Sequence, residues 1–361
     1  MSRSSWRHKV PSTNDFRPDA RARNETERIV CVLNPRAAAG RAGQRVDELR
    51  RAVDRAFAQG EVRVSEGPGH ATELAARAID DGADIVAAVG GDGTCNEVVN
   101  GFFCDDQPRR PQVVYTIIPW GTGSDLSRSL RAPGTLEDAL WVAATGMTLP
   151  TDVGHVRFVA HDAQEGHRIF INVAGFGANG DVVHRANRAS KRFGGRVTFL
   201  HATLGSLMEF DPPHVDVSWT GPAGDGVWDG TLLSAFVCNG HYCGGGMNLG
   251  KGGSMHDGFF DLTLLPTKGR VRNVASSWRL YDGSAWRVPG ARRVYCSELR
   301  AVSRSGAPVL LDVDGEQPGA LSAHFRNLER SLQVRGGWLR SPLLRGRREI
   351  WRPKHRRTRP E

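Results

Sequence analysis

The chain has 361 residues, enough for about two domains, and its 39% apolar and 24% charged residues are typical of a folded globular protein. No apolar run approaches the roughly 18 residues of a membrane-spanning helix. The N-terminal residues MSRSSWRHKVPSTNDF lack the apolar core of a signal peptide. The six cysteines show no metal-type pairing and lie mostly in apolar surroundings, as expected of buried thiols in a cytoplasmic protein.

The formal net charge of +9 is concentrated at the two ends of the chain. Residues 335–361 hold ten Arg or Lys and two Glu, and residues 1–28 hold seven Arg or Lys and four acidic residues, which leaves the body between them at −2. We expect residues 1–28 to be a disordered basic tail and residues 335–361 to be a basic C-terminal tail. The C-terminal tail either aids solubility or contacts an anionic surface. Trp351 beside its charges favours peripheral contact with a membrane over binding to nucleic acid.

Strand and helix patterns alternate over the first part of the chain. Buried apolar runs predict strands at 28–33, 61–65, 84–89 and 113–118, and helical spacing predicts helices at 41–58, 71–80, 94–103 and 135–145. Strands that alternate with helices indicate crossover connections and a mostly parallel sheet. Residues 29–150 are therefore predicted to form an α/β domain.

The pattern changes after Pro150. Short alternating runs such as VGHVRF, HVDVSW and FFDLTLL are separated by Gly, Pro and Asp turns, which predicts antiparallel strands. A helical pattern at 197–209 interrupts them, and further strands are predicted at 309–311 and 328–334. Residues 151–334 are predicted to form a β-sandwich domain with a helix packed on it.

The stretch 85–101, IVAAVGGDGTCNEVVNG, carries the clearest functional signal. It runs from a buried strand through Gly90, Gly91, Asp92, Gly93 and Thr94 into a helix, so the turn lies where open α/β sheets bind ligands. We expect the glycines to take positive φ and to let the backbone approach a bulky group. The amides at the start of the helix suit an anion. A carboxylate beside a phosphate requires Mg²⁺ or a basic group between them.

Three further segments resemble the stretch 85–101 in combining small or turn-forming residues with polar side chains. NPRAAAG, beginning at Asn34, and IPWGTGSDLSR, with Thr122 and Asp125, both follow strands of the predicted sheet, so we expect them to line one crevice. DVDGE places Asp312, Asp314 and Glu316 within five residues. A tight DG turn would explain the middle carboxylate of that segment but not the other two.

Other patterns are interpreted as structural. GGMNLGKG at 245–252 nearly spells a P-loop but ends in glycine, and GFGANG at 175–180 spells G-x-G-x-x-G without an acidic residue about 20 positions later. His155, His161 and His167 recur every six residues, which is the spacing of no known metal site. We interpret these histidines as surface residues.

In chain order, NPRAAAG, GGDGTCNEVVNG, PWGTGSDLSR, GGSMHDGFFDLTLL and DVDGE resemble the diacylglycerol kinase catalytic-domain family. This group of lipid kinases includes sphingosine and ceramide kinases and bacterial homologues, and the resemblance spans roughly residues 28–334. GGDGT is shared with NAD kinases, whereas the ordered set with the late DGE favours the lipid kinases. The resemblance implies a NAD-kinase-like nucleotide domain followed by a β-sandwich, with ATP between them, and it implies that homodimers occur.

The resemblance also implies roles for single residues. Glu316 resembles the general base, with Asp314 beside it, and Asp92 and Asp125 would join the magnesium and water network. Asp257 and the carbonyls of Ser254 and Phe259 resemble a structural magnesium site. The residues that would hold the nucleotide and its phosphates are Asn34, Ser65, Gly90, Gly91, Asp92, Gly93, Thr94, Asn96 and Thr122.

Two positions depart from the family pattern. Ser124 stands where asparagine is usual, and Trp120 stands where a smaller residue is usual. Serine still donates a hydrogen bond, and the tryptophan would reshape the wall of the pocket.

The sequence therefore predicts an enzyme that uses ATP and Mg²⁺ to phosphorylate a lipid hydroxyl, with diacylglycerol, giving phosphatidic acid, as the favoured acceptor. Other acceptors stay open, namely a sphingoid base, ceramide, a polyprenol or NAD. A nucleotide-binding regulator without catalysis is a further alternative, against which the intact carboxylates argue.

Overall fold

The computed structural model describes residues 23–120, 125–188 and 209–337. Thr122, Ser124, nearly all of the predicted helix at 197–209, and most of both basic tails, with Trp351, lie outside these ranges. Within the described ranges, no helix combines the length and the apolar character needed to cross a bilayer.

The first half of the chain alternates strands and helices. In chain order it contains β1 (Asn24–Leu33), α1 (Val46–Ala56), β2 (Phe57–Val64), α2 (His70–Asp80), β3 (Ile85–Gly90), α3 (Asp92–Asn100), β4 (Phe103–Cys104), β5 (Gln107–Pro108), β6 (Val114–Pro119), α4 (Asp125–Ser129) and α5 (Leu136–Thr145). The four long strands are parallel and lie in the order β6–β3–β1–β2. The predicted parallel sheet is confirmed.

The strands of this sheet are buried on both faces, which is why their sequences are continuous apolar runs rather than alternating ones. In β1, Val30 and Val32 pack with α2 and α3 in one apolar cluster, whereas Ile29 and Leu33 pack with α1 and α5 in another. The first half is thus a sheet with a helical layer on each side.

The start of the first helix differs from the prediction. Two short 3₁₀ turns, Ala37–Gly40 and Gly43–Arg45, precede α1, which begins only at Val46. Gly40 has a φ of +85°, which ends the first turn, and Gly43 packs so closely on Pro35 that a Cβ there would lie 3.2 Å from the proline ring. The chain therefore turns twice before it continues as a helix.

The second half is predominantly antiparallel. It contains β7 (Thr148–Ala160), β8 (Glu165–Phe170), β9 (Val173–Gly177), α6 (Ala178–Arg188), β10 (His214–Thr220), β11 (Gly226–Cys238), β12 (Tyr242–Cys243), β13 (Met247–Asn248), β14 (Phe260–Pro266), α7 (Arg270–Ser276), α8 (Arg279–Asp282), β15 (Arg292–Cys296), β16 (Glu298–Ser303), β17 (Leu311–Val313) and β18 (Gly319–Arg335).

Strand β11 belongs to both layers of a β-sandwich. Its first residues pair with β10, and its later residues pair with β9 and β14. Between the layers lies an apolar core in which the rings of Phe170 and Phe260 stack with centroids 5.5 Å apart, and Phe325 meets Phe170 edge to face. The predicted sandwich is confirmed.

The last strand joins the two halves. The end of β18 pairs in parallel with β6 on one side. Along most of its length β18 pairs antiparallel with β7, and its middle part pairs antiparallel with β16. The expected division near residue 150 falls inside β7, so the sheet passes through it without a break.

The expected bounds of the tails need a correction. Asn24 already begins β1, and Arg335 is buried at the end of β18, where its guanidinium binds both carboxylate oxygens of Glu27 at 2.8 and 2.9 Å. Hydrogen bonds from Arg335 hold the pKa of Glu27 below its usual value. Arg335 is therefore a structural cation whose charge is neutralised within the fold.

Candidate active site

The carboxyl ends of the four parallel strands meet at one edge of the sheet. Leu33, the last residue of β1, lies opposite both Val64 and Val89, and Gly90 lies opposite Pro119. The segments that follow these strands are therefore neighbours, as expected for a ligand-binding edge.

Two of the predicted nucleotide-binding residues lie at this edge. Asn34 donates its backbone N–H to the carbonyl of Val89 at 3.2 Å, and its Oδ1 accepts the N–H of Arg36 at 2.9 Å. Ser65, which is buried, donates its N–H to Leu33 O at 2.8 Å. Both residues therefore flank the crevice next to the glycine segment.

The glycine segment adopts a different backbone from the one expected. Gly91 caps α3 with φ −100°, and neither Gly90 nor Gly93 has positive φ, so the expectation of a left-handed turn is wrong. The absence of side chains matters instead. A Cβ on Gly90 would lie 2.6 Å from Thr94 Oγ1, Gly91 faces open space, and a Cβ on Gly93 would lie 3.1 Å from Glu316 Oε1.

Asp92 joins the glycine segment to α4. Its two carboxylate oxygens accept the backbone N–H groups of Asp125 and Leu126 at 3.0 and 3.1 Å. These two bonds hold the glycine segment against the first residues of α4. The predicted proximity of Asp92 and Asp125 is therefore present in the fold.

Asp125 is buried and has two further partners. One carboxylate oxygen pairs with Arg128, and the other accepts the N–H of Gly245 at 2.7 Å. Burial raises the pKa of Asp125 and the Asp92 carboxylate raises it further, while the Gly245 hydrogen bond opposes the rise. The site thus favours a positive charge beside this pair of carboxylates.

Gly245 belongs to the segment that nearly spells a P-loop. The structure shows a β12–β13 hairpin there, with positive φ at Gly244, Gly245 and Gly246. These glycines serve a tight turn that covers Asp125, and no helix follows them, so the interpretation against a P-loop is supported by the geometry.

Asp314 is held by four hydrogen bonds. Its carboxylate accepts the backbone N–H groups of Ile171, Asn172 and Val173 at 2.9–3.0 Å and the side-chain amide of Asn96 at 3.0 Å. Burial raises its pKa to about 6 against these bonds. Both oxygens thus accept hydrogen bonds from the protein, and Asp314 fixes the DGE turn to α3 and to residues 171–173.

Glu316 differs from its neighbours because it is exposed. Its backbone N–H donates to Val313 O at 3.0 Å and its carbonyl accepts the Val313 N–H at 2.8 Å, which closes the tight turn. This turn places the Glu316 carboxylate next to Gly93. The two segments that carry these residues are more than 200 positions apart in the sequence, and the fold brings them together.

The side chain of Asn96 is held by hydrogen bonds within the protein. Its side-chain amide donates to Ile169 O and to Asp314 at 3.0 Å, and its Oδ1 accepts from Asn100 and Arg168 at 3.2 and 3.3 Å. The buried side chain therefore connects α3 with β8 and with the DGE segment, and its nucleotide-binding role stays a prediction.

Sequence reasoning missed Arg168 and Arg128, both next to site residues. Arg128 lies three positions after Asp125 on α4, so helical spacing gave a signal that was available. Arg168 gave none, because its partner Asn96 lies 72 positions away.

The three predicted magnesium ligands lie on one loop before β14. Ser254, Asp257 and Phe259 line a small cavity with Asp261, and the Phe259 N–H donates to Asp257 Oδ1 at 3.3 Å. Burial raises the pKa of Asp257, and the nearby Asp152 carboxylate raises it further. A half-buried carboxylate beside other acidic groups suits a hard cation bound through oxygen.

Comparison with known proteins agrees with this geometry. The family model of the diacylglycerol kinase catalytic domain matches residues 28–156. The family model of the YegS C-terminal NAD kinase beta sandwich-like domain matches residues 172–336. A diacylglycerol kinase of Staphylococcus aureus is 30% identical over 276 residues, covering 75% of this chain and 80% of that protein. The chain belongs to the diacylglycerol kinase catalytic-domain family of lipid kinases.

Other relatives are consistent with this family. A probable lipid kinase YegS-like of Xanthomonas oryzae is 29% identical over 283 residues, which is 77% of this chain and 87% of that protein. The crystal structure of a putative diacylglycerol kinase from Bacillus anthracis superposes with a TM-score of 0.67 at 20% identity, covering 86% of this chain and 97% of that one. At that identity the likeness concerns the fold.

The family membership confirms the resemblance drawn from the ordered motifs. The first matched region carries Asn34, Asp92 and Asp125, and the second carries the loop at Asp257 and the DGE turn. The two matched regions therefore meet where the Glu316 carboxylate approaches Gly93.

Proposed function

We propose that the protein transfers the γ-phosphate of ATP to the hydroxyl group of a lipid, with diacylglycerol as the favoured acceptor and phosphatidic acid as the product. The observation that carries the proposal is the position of Glu316, an exposed carboxylate that faces the glycine segment at 3.1 Å from the Cβ position of Gly93. Family membership supplies the reaction class.

Different residues of the site would serve different steps of phosphoryl transfer. Asn34, Ser65 and the backbone of Gly90–Gly93 lie where the nucleotide would bind, and the bare glycine backbone lets the phosphates approach. Mg²⁺, when bound near Asp92 and Asp125, would neutralise phosphate charge, which is most of what this reaction requires. Their carboxylates and the raised pKa of Asp125 fit such an ion.

Glu316 would take the proton of the acceptor hydroxyl. A general base must reach the proton that it removes, and among the three carboxylates of the DGE segment Glu316 is the exposed one. Asp314 would act on Glu316 by fixing the turn, because its own oxygens are occupied by backbone and amide donors.

The test is a radiolabelled ATP assay with full-length protein and Mg²⁺. The acceptor panel contains diacylglycerol, sphingosine, ceramide, undecaprenol and NAD, and Glu316→Gln and the exposed Glu137→Gln serve as test and control variants. We expect one labelled lipid, lost in Glu316→Gln and retained in Glu137→Gln. Label on NAD alone would overturn the lipid acceptor, and ATP binding without any labelled product would favour the non-catalytic regulator.

A further inference from the structure

A cluster of three side chains lies where two hairpins of different halves meet. Asp105, in the turn between β4 and β5, faces His155 of β7 and His167 of β8. His155 Nε2 lies 3.0 Å from Asp105 Oδ1, and His167 Nδ1 lies 3.4 Å from the same oxygen. The two imidazoles are diagonal neighbours on one face of the β7–β8 pair.

The cluster contains buried atoms that need a partner. His155 is only 1% exposed, so its interpretation as a surface histidine is wrong. Its Nε2 and Asp105 Oδ1 are shielded from solvent, and neither makes a well-directed hydrogen bond within the described part of the chain. Buried polar atoms in folded proteins are nearly always satisfied. The two atoms lie 3.0 Å apart without a directed hydrogen bond, and an ion held between them and His167 would satisfy both.

The spacing suits a transition-metal ion. Zn²⁺ binds histidine nitrogen and carboxylate oxygen at about 2.0–2.2 Å, and a tetrahedron of that size has edges of about 3.3 Å. The two separations of 3.0 and 3.4 Å lie on either side of that edge length. Arg157 binds the other oxygen of Asp105 at 2.5 Å, which keeps Oδ1 turned toward the imidazoles, as outer partners of metal ligands do.

We propose that Asp105, His155 and His167 bind one Zn²⁺ or a similar divalent transition-metal ion, with water in the remaining position. Two nitrogen donors and one carboxylate favour such an ion over Mg²⁺. The ion would fasten β8 to the β4–β5 hairpin. Because Arg168 and Ile169 of β8 bind Asn96 and Asn100 of α3, the ion would also stabilise the helix that begins at the glycine segment.

The experiment titrates Zn²⁺ into metal-free full-length protein in the presence of excess Mg²⁺, against a chromophoric chelator. We expect one ion per chain and a higher Tm when it is bound. His167→Ala and Asp105→Asn change exposed positions and should each weaken binding at least tenfold. His161→Ala, an exposed histidine close to the same hairpin, should leave the affinity unchanged.

Two results would overturn this site. One is an affinity that stays the same in both His167→Ala and Asp105→Asn, with circular dichroism showing that all variants are folded. The other is loss of binding in His214→Ala, which would assign the ion to a second group of possible ligands, His214, Asp216 and Asp229.

A separate observation concerns the surface between β14 and β15. Residues 268–292 contain six Arg or Lys and one Asp. Four large apolar side chains of this segment are 42–78% exposed, namely Val271, Trp278, Tyr281 and Trp286. The guanidinium groups of Arg279 and Arg287 lie 4.9 Å from the ring centroids of Trp278 and Trp286, respectively. We call residues 268–292 the aromatic–basic segment.

The other side of the aromatic–basic segment is packed. Leu280, Ala285 and Val288 line an apolar cavity together with Phe236 of β11 and Leu265 of β14. The exposed rings therefore do not reflect a loose loop, because the same turns are anchored on the sandwich. Trp and Tyr beside cationic side chains are the residues that lie at the headgroup level of membranes.

Resting on the proposed function, we infer that the aromatic–basic segment is the surface that contacts an anionic lipid bilayer. Its positive charge complements anionic headgroups, and its exposed rings suit the apolar edge of the interface. This places membrane contact on the sandwich, in addition to the C-terminal tail that the sequence suggested.

The test measures sedimentation with vesicles of phosphatidylcholine, with and without 30% phosphatidylglycerol. We expect Trp278→Ser/Trp286→Ser to weaken binding to the anionic vesicles at least tenfold, and Val227→Ser, at an 82% exposed position elsewhere, to leave it unchanged. Binding that survives the double substitution but is lost on truncation after Gly337 would overturn the inference in favour of the tail. Kinase activity on detergent-dispersed lipid is measured in parallel for wild type and all variants. If none of them is active, the proposed function is contradicted, while the comparison of vesicle binding remains valid.

Discussion

Two glycine turns of this protein have the same sequence character and different physical uses. Gly90–Gly93 leads from β3 into α3, and Gly175–Gly180 leads from β9 into α6. In the first turn, Gly91 faces open space and Gly93 faces the Glu316 carboxylate. In the second, a Cβ on Gly175 would lie 2.2 Å from Ala235 O, and one on Gly180 would lie 2.2 Å from Leu310 O.

The difference teaches how to separate glycines that leave space beside a candidate site from glycines that allow close packing. Both turns join a strand to a helix, so that context does not discriminate between them. What discriminates between them is the group that a side chain at the glycine would meet. In the first turn Gly91 faces open space and Gly93 faces a carboxylate, whereas in the second turn the glycines face backbone carbonyls of adjacent segments. The second turn nevertheless supports the site, because β9 pairs with β17, where Gly175 lies opposite Asp312 of the DGE segment.

The largest effect should come from the carboxylate opposite the first turn. Glu316→Gln removes the proposed base while keeping the size of the side chain, so we expect kcat to fall by about 10²- to 10⁴-fold. Because Glu316 is exposed, the free energy of unfolding should change little. Steady-state kinetics and thermal unfolding check both expectations, and a kcat within threefold of wild type would remove Glu316 from the chemistry.

The second turn should show its effect in stability. Gly180→Ala places a methyl group against the Leu310 carbonyl, a backbone group that cannot move aside, so we expect a loss of about 1–3 kcal/mol in the free energy of unfolding. Gly91→Ala, whose Cβ meets nothing within 4 Å, should lose only the preference of an N-cap for glycine over alanine, about 0.5 kcal/mol. Urea unfolding of the two variants makes the comparison, and equal stabilities would erase the distinction between the turns.

The packing of the second turn against β17 also predicts that the free energy of unfolding depends on pH. Burial raises the pKa of Asp312 from 3.8 to about 7, since the side chain lies between strands and near Asp314 and Glu316. In the unfolded chain Asp312 has its ordinary pKa of 3.8, and below that pH it is protonated in both states and costs no stability. As the pH rises from 3.8 to about 7, only the unfolded chain loses the proton readily, so the folded state becomes progressively less stable.

Asp312→Asn removes this cost and retains an oxygen for the Gly315 N–H. We expect the variant to gain about 2–3 kcal/mol more over wild type at pH 8 than at pH 5. Denaturant unfolding at the two pH values measures the gain. A difference that is independent of pH would mean that Asp312 titrates normally.

The sequence was sufficient for the parallel strands of the first half and for the sandwich character of the second. It was insufficient for the helices α6, α7 and α8 and for the contacts between the halves. Apolar runs such as 84–89 located β3 and its neighbours because parallel strands buried on both faces leave that pattern. The ordered motifs located Asp92, Asp125 and Glu316. The backbone conformation of Gly90–Gly93 could not be predicted, because glycine permits positive φ without requiring it.

Long-range pairing was the other limit. The four donors of Asp314 come from α3 and from the start of β9, and Arg335 finds Glu27 at a separation of 308 residues. Neither partner leaves a local pattern. For the same reason a buried histidine, His155, was interpreted as a surface residue.

The smallest and most specific effect is expected at Gly93, in the first turn of α3. Gly93→Ala brings a methyl group to 3.1 Å from Glu316 Oε1, so the carboxylate must shift by a few tenths of an ångström. A small misplacement of a reacting group is costly, and we expect kcat to fall by about tenfold, which is about 1.4 kcal/mol of transition-state free energy. Stability should move in the opposite direction, because alanine is favoured over glycine within a helix by up to about 1 kcal/mol. A variant with a higher Tm and a lower kcat would show that glycine is kept here for the crevice and at the expense of the helix. A lower Tm with unchanged kcat would place Gly93 with the packing glycines of the second turn.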